Sequence, residues 1–145
     1  TVMDQWLSDL PAQRVMERDF VSVPPDLSVQ ALIDEHLIGT SHRVFPVVEH
    51  GRLAGLVCLA DLGKIEPAQR AATPVAGIMT PADRLQTLAP TDSAGSALDR
   101  LTELGINQLP VVEHGRVLGL VSREDILTWL ALRRGGTGPD RRPLA

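Results

Sequence analysis

Apolar positions along this chain follow two rhythms that alternate in the same order twice. Val29, Leu32, Ile33 and Leu37 recur at the three- and four-residue spacing of one helical face, and Ser28 stands where a helix N-cap belongs. Ala94, Ala97, Leu98, Leu101 and Leu104 repeat that stripe, and Gly105 follows as a helix-ending glycine. Behind each stripe come two short apolar runs, 45–48 and 53–57, then 109–112 and 117–121. The link between them is Glu-His-Gly-Arg both times, a hairpin signal. A short strand before each helix (20–23; 85–88) and a closing helix (59–65; 123–132) complete the unit. The predicted order is β-α-β-β-α, twice, behind a helical lead-in carrying Met3, Trp6, Leu7 and Leu10.

The second unit is a copy of the first. Residues 45–62 and 109–126 match at 11 of 18 positions and are identical over 46–52 and 110–116. Val15-Met16 is echoed by Ile78-Met79. The expected division is a lead-in over 1–14, a first repeat over 15–66, a linker over 67–77, a second repeat over 78–132 and a flexible tail over 133–145. Each unit is near the size at which a domain is marginal alone. The two are therefore expected to pack face to face on one core.

Composition narrows the function. Apolar residues make up 43% of the 145 and charged residues 22%, as in a globular soluble chain, and no apolar run approaches the roughly 20 residues that span a bilayer. The net charge is −4, and four of the arginines (133, 134, 141, 142) sit in the tail, leaving an acidic body. An acidic body with only Phe20, Phe45, Trp6 and Trp129 as aromatics lacks the basic stripe and stacking platform that nucleic acid requires. The lone Cys58 excludes an internal disulfide and suits a reducing, cytoplasmic setting. In an apolar strand it reads as a buried, inert thiol. Thr1 at the start points to a piece of a longer protein.

The chemistry concentrates in Ser122-Arg123-Glu124-Asp125. Ser122 ends a strand and begins a helix, so its hydroxyl and the first free backbone N–H groups suit an anion such as phosphate. Asp125, one turn on, can accept hydrogen bonds from both hydroxyls of a ribose, and Arg123 adds a nearby cation. The same spacing also makes an ordinary helix cap, which needs no ligand. In the first copy Cys58 replaces the serine, while Leu59 and Ala60 replace Arg123 and Glu124. Asp61 keeps its carboxylate and could still hold a ribose, so one competent site is expected, in the second copy. His50 and His114 lie at hairpin tips without further ligands, where turn chemistry explains them better than metal. No carboxylate pair offers acid–base catalysis.

Val15-Met16, Ile78-Met79-Thr80, the two strands with Pro-Val-Val and the two Gly-Leu-Val segments leading to Asp61 and Asp125 together resemble the tandem cystathionine-β-synthase-type (CBS) domain pair. The resemblance covers about residues 12–132. It implies an α/β fold of two β-α-β-β-α repeats in one pseudo-two-fold module, which is regulatory rather than enzymatic. It implies an adenosine nucleotide (AMP, ADP or ATP) in the inter-repeat cleft, phosphate on Ser122 and ribose on Asp125. Thr80, Leu85, Pro110 and Val111 would line the adenine slot. It further implies a homodimer, for which Ile126, Leu127, Leu130 and Trp129 offer apolar contacts; packing of Trp129 on the lead-in is the local alternative. The run Arg43-Val44-Phe45-Pro46-Val47-Val48, then Gly55-Leu56-Val57, is similar to the pair appended to site-2-type intramembrane zinc metalloproteases. Such a module would sit on the cytoplasmic side of a membrane. A scaffold that only dimerises or docks such a protease, with its clefts closed, is the rival reading.

Overall fold

The computed structural model describes residues 2–135; the expected tail from 136 onward lies outside them. The lead-in forms α1 (Val2–Asp9) and α2 (Ala12–Val15). The first repeat contributes α3 (Val29–Leu32), β1 (Val44–Glu49), β2 (Arg52–Cys58) and α4 (Leu59–Leu62). The second contributes β3 (Thr80–Pro81), α5 (Ala94–Leu104), β4 (Gln108–Glu113), β5 (Arg116–Ser122) and α6 (Arg123–Gly135). The helix-strand-strand-helix order is therefore present twice.

Both hairpins turn through His-Gly pairs with positive φ: 54° and 78° at His50 and Gly51, 55° and 80° at His114 and Gly115. Two successive left-handed residues match the twist of antiparallel strands, which explains the conserved spacing of the link between the two copies. The strands pair antiparallel with a register shift at the same place, Val47/Val48 and Val111/Val112. The two tips meet: Leu53 N–H donates to the Gly115 carbonyl at 2.8 Å.

Three expectations change. The strands at 20–23 and 85–88 shrink to single parallel bridges, Val23 to Val47 and Leu88 to Val111. Pro24 and Pro25 follow the first and Pro90 the second, and proline cannot donate to a longer ladder. The first-repeat helix runs four residues and then widens into a π-turn over Ile33–Leu37, whereas α5 is regular for eleven. Ser28 to Phe45 is one residue longer than Ser93 to Leu109, and a π-turn absorbs such an insertion while returning Leu37 to the core side. The closing helix α4 stops at Leu62, before Gly63 and Pro67, while α6 runs through 132 to Gly135.

The largest correction concerns the core. There are two hydrophobic clusters, one per repeat, and each is completed by the segment that precedes the other repeat. Leu7, Leu10, Ala12 and Met16 pack with Leu101, Val111, Val121 and Ile126. Val75 is buried with Val29, Phe45 and Val57, and Ile78 and Met79 cover that cluster. The exchange is reciprocal at the strands. Glu17 exchanges backbone hydrogen bonds with Leu120 at 2.7 and 3.0 Å, and Thr80–Pro81 pairs with Gly55 and Leu56. Each repeat thus lends an arm to its twin, and interlocked arms hold the pair as one body.

Candidate functional site: the cleft between the repeats

An open cleft of about 1600 Å³ runs between the repeats, with walls from both. The end of β5 and start of α6 form one wall, where Ser122 is only 9% exposed and is the buried polar side chain of the described core. Its Oγ accepts the Asp125 N–H at 3.0 Å, the expected cap. Asp125 itself is exposed, and among the described residues its carboxylate accepts no hydrogen bond. The cap therefore uses the serine and leaves the carboxylate open to the cleft.

The first copy differs in what its aspartate does. Asp61 Oδ2 accepts the Cys58 N–H at 2.9 Å, so this carboxylate serves its own helix, and Asp61 does not line the cleft. Cys58 is half-buried and faces the cleft, rather than lying in the core as expected. Burial, and then the neighbouring Asp61 charge, push its thiol above the ordinary value of 9.0, which keeps it protonated and unreactive at neutral pH.

Of the other predicted residues, Thr80, Leu85, Pro110 and Arg123 line the cleft with Ser122 and Asp125. Val111 does not: it is fully buried in the second cluster, beside Leu88, because alternate residues of a strand face opposite sides. Arg123 is turned onto the end of α5, its Nη2 3.4 Å from the Leu101 carbonyl, and its Nε is buried without a partner. Sequence reasoning missed Arg84, Asn107 and Gln108 on the second-repeat side and Asp19 on the first. His42 and Arg43, just before β1, also reach the cleft; they stand in register with Ile106 and Asn107 of the second copy, and that register was the signal that could have found Asn107. Among the described residues no cluster of three His, Cys, Asp or Glu side chains could hold a metal ion.

The family model for the CBS domain matches residues 12–65 and again 75–132. This chain belongs to the CBS domain family, as a tandem pair. CBS modules are generally non-catalytic regulatory domains. The CBS domain of a membrane protein from Sphaerobacter thermophilus shares the fold at a TM-score of 0.69 and 25% identity, over 88% of this chain and 91% of that one. The CBS domain of a bacterial CNNM/CorC family Mg2+ transporter, solved in complex with ATP, matches at 0.74 and 22%, over 90% and 93%. Among curated sequences, Rip3 of Mycobacterium tuberculosis, a candidate zinc metalloprotease, is 29% identical over 107 residues. That match takes 72% of this chain and 27% of Rip3, so the chain spans about a quarter of that relative's length. No helix among the described residues is long and apolar enough to cross a membrane.

Proposed function

We propose that this CBS pair is a regulatory module that binds an adenosine nucleotide in its inter-repeat cleft, at one site built on Ser122 and Asp125. The observation that carries the reading is the contrast at the two helix starts: Asp125 keeps a free carboxylate in the cleft, while Asp61 is consumed by the Cys58 N–H. A free carboxylate there suits the paired hydroxyls of a ribose, and the positive end of α6 suits a phosphate, with the Arg123 and Asp125 N–H groups already donating to the Asn107 carbonyl and to Ser122 Oγ. Thr80, Leu85 and Pro110 supply a mostly apolar slot for the base. The ATP-bound CBS structure of the Mg2+ transporter supports the ligand class. The Rip3 likeness supports an attached membrane protease, on its cytoplasmic side, as the regulated effector. Leu132 on α6, 70% exposed and outside the cleft, supports contact with a second copy of the chain.

Thermal denaturation with AMP, ADP, ATP, adenosine and S-adenosylmethionine, with GTP as control, tests the reading. A ligand at a hundred times its dissociation constant stabilises the native state by about 2.7 kcal/mol, a rise of roughly 5–10 °C in Tm for a chain of this size. An adenine-selective rise that disappears in Asp125→Ala is expected. No rise with any of them at millimolar concentration overturns the proposal and leaves Ser122 as a cap alone.

A further inference from the structure

Helix α6 carries a second feature one turn beyond Asp125. The Arg133 guanidinium lies 5.6 Å from the ring centre of Trp6 in α1 and 5.5 Å from that of Trp129 in α6 itself. A cation between two indole faces is attracted by both, and these are the only two tryptophans of the chain. Both rings also pack, half-buried, against the second-repeat core. Trp129 is thus engaged by the lead-in, the local alternative to an interface.

At about 3.6 residues per turn, the cleft-lining Leu127, Thr128 and Ala131 fall nearly opposite Trp129 and Arg133, while the cleft-lining Asp125 lies one turn before Trp129 on the same side. The lead-in touches the other wall of the cleft too. Leu7 packs so closely on α5 that a methyl group on Gly95 would come within 3.2 Å of its Cβ. The far end of α5 delivers Leu104 and Gly105 to the cleft. Beyond α1 the lead-in is fixed by backbone, with Ala94 N–H to the Leu10 carbonyl and Ala12 N–H to that of Asp92, both at 2.7 Å. The first turns of α1 have no such backbone tie among the described residues; the clasp of Trp6, Arg133 and Trp129 is what holds them to α6.

We infer that this clasp couples α1 to the cleft: a ligand seated against α6 fixes that helix, and α1 docks more firmly in response. The inference rests on the cleft being the ligand site, and it adds which part of the molecule reads the occupancy. A helix held by a ligand at its start and by the clasp from the next turn onward transmits displacement from one to the other, because packed interiors resist deformation. Linkage then requires the reverse effect, that loosening the clasp weakens ligand binding.

Hydrogen exchange on the full chain tests this in two arms. In the ligand-free arm, Arg133→Ala should speed exchange over Val2–Asp9 and also along α6 and at 104–107, while Arg133→Lys restores the protection. Arg133 is exposed and alanine favours helix, so the variant folds. Faster exchange confined to Val2–Asp9 would overturn the coupling, whatever the ligand result. In the second arm, ATP or AMP should slow exchange over Val2–Asp9 and shift tryptophan emission, and Arg133→Ala should weaken nucleotide affinity about fivefold, the lower end of ordinary coupling. Nucleotide that binds without changing either signal would overturn the inference and leave the binding site intact. Nucleotide that does not bind at all would end the ligand reading, with the ligand-free arm still deciding the clasp.

Discussion

The two repeats agree in everything that shapes the backbone and disagree in what faces a ligand. Their hairpins share left-handed His-Gly turns and a bulge at the same register, and each receives an arm from its twin. At the helix starts the two aspartates are used differently. The second copy caps with a serine hydroxyl and leaves its aspartate free; the first spends its aspartate on the Cys58 N–H. Duplication preserved the scaffold because any change in turn or register disturbs a core. The helix start tolerated divergence because a cap can be made with or without the aspartate.

The strongest test of the shared scaffold lies where the arms cross. A Cβ on Gly119 would sit 2.8 Å from the Glu17 carbonyl and 2.7 Å from Met16 Cγ. A Cβ on Gly55 would sit 2.6 Å from the Thr80 carbonyl and 2.5 Å from Met79 Sδ. Gly119→Ala and Gly55→Ala should each cost about 1–3 kcal/mol by overpacking, lowering Tm by roughly 2–10 °C. Unequal losses in calorimetry would break the equivalence of the two crossings. The aspartates should then separate the copies. Asp125→Ala is expected to remove adenosine-nucleotide binding in isothermal titration with little change in Tm. Asp61→Ala should do the opposite, losing about 1 kcal/mol with its cap and leaving binding unchanged. Matching behaviour of the two variants would refute the one-site reading.

Much of this was legible before the fold. The hairpins could be read because Glu-His-Gly-Arg between apolar runs has few alternatives, and the Ser28 cap because local spacing fixes it; Ser28 does accept the Ala31 N–H at 3.0 Å. The exchanged arms could not be read. Met16 and Ile78 each follow the apolar pattern of their own unit, and pattern alone does not say which of two like cores a strand completes. Val111 was misplaced for a similar reason: the motif selects a strand, but the face depends on the parallel bridge from Leu88. Arg123 was placed near the cleft, yet its turn onto the Leu101 carbonyl depends on where α5 ends, which is tertiary information.

Smaller effects sharpen the same contrast. Ser122→Ala should cost about 1 kcal/mol of cap energy and weaken phosphate-bearing ligands more than adenosine, read by comparing AMP with adenosine in titration. Cys58 offers a pH test. Because burial and Asp61 raise its thiol above 9.0, the folded chain holds that proton where an unfolded chain has released it. The resulting stabilisation is complete below the unfolded value and fades as pH rises through the folded one. Cys58→Ala should flatten that alkaline loss in a Tm series, and native Cys58 should react slowly with a thiol reagent at pH 7.5. Rapid labelling at that pH would contradict the protonated thiol.

The smallest expected effect bears on why the hairpins stayed identical. His50 and His114 hold φ near +55°, a conformation that L-residues with a bulky side chain disfavour and that asparagine tolerates better. His114→Asn should therefore leave the turn intact and raise Tm by about 1–2 °C if the histidine is only a turn residue. Gly115 is a different case. A Cβ there would lie 2.5 Å from the Arg52 guanidinium carbon, and Arg52 Nη1 donates to the His114 carbonyl at 3.3 Å across the tips. If His114→Asn instead lowers Tm, the imidazole contributes to holding the two tips together. The identity of the two turns would then reflect their mutual contact around the pseudo-two-fold, and the double replacement His50→Asn/His114→Asn should lose more than the two single changes combined.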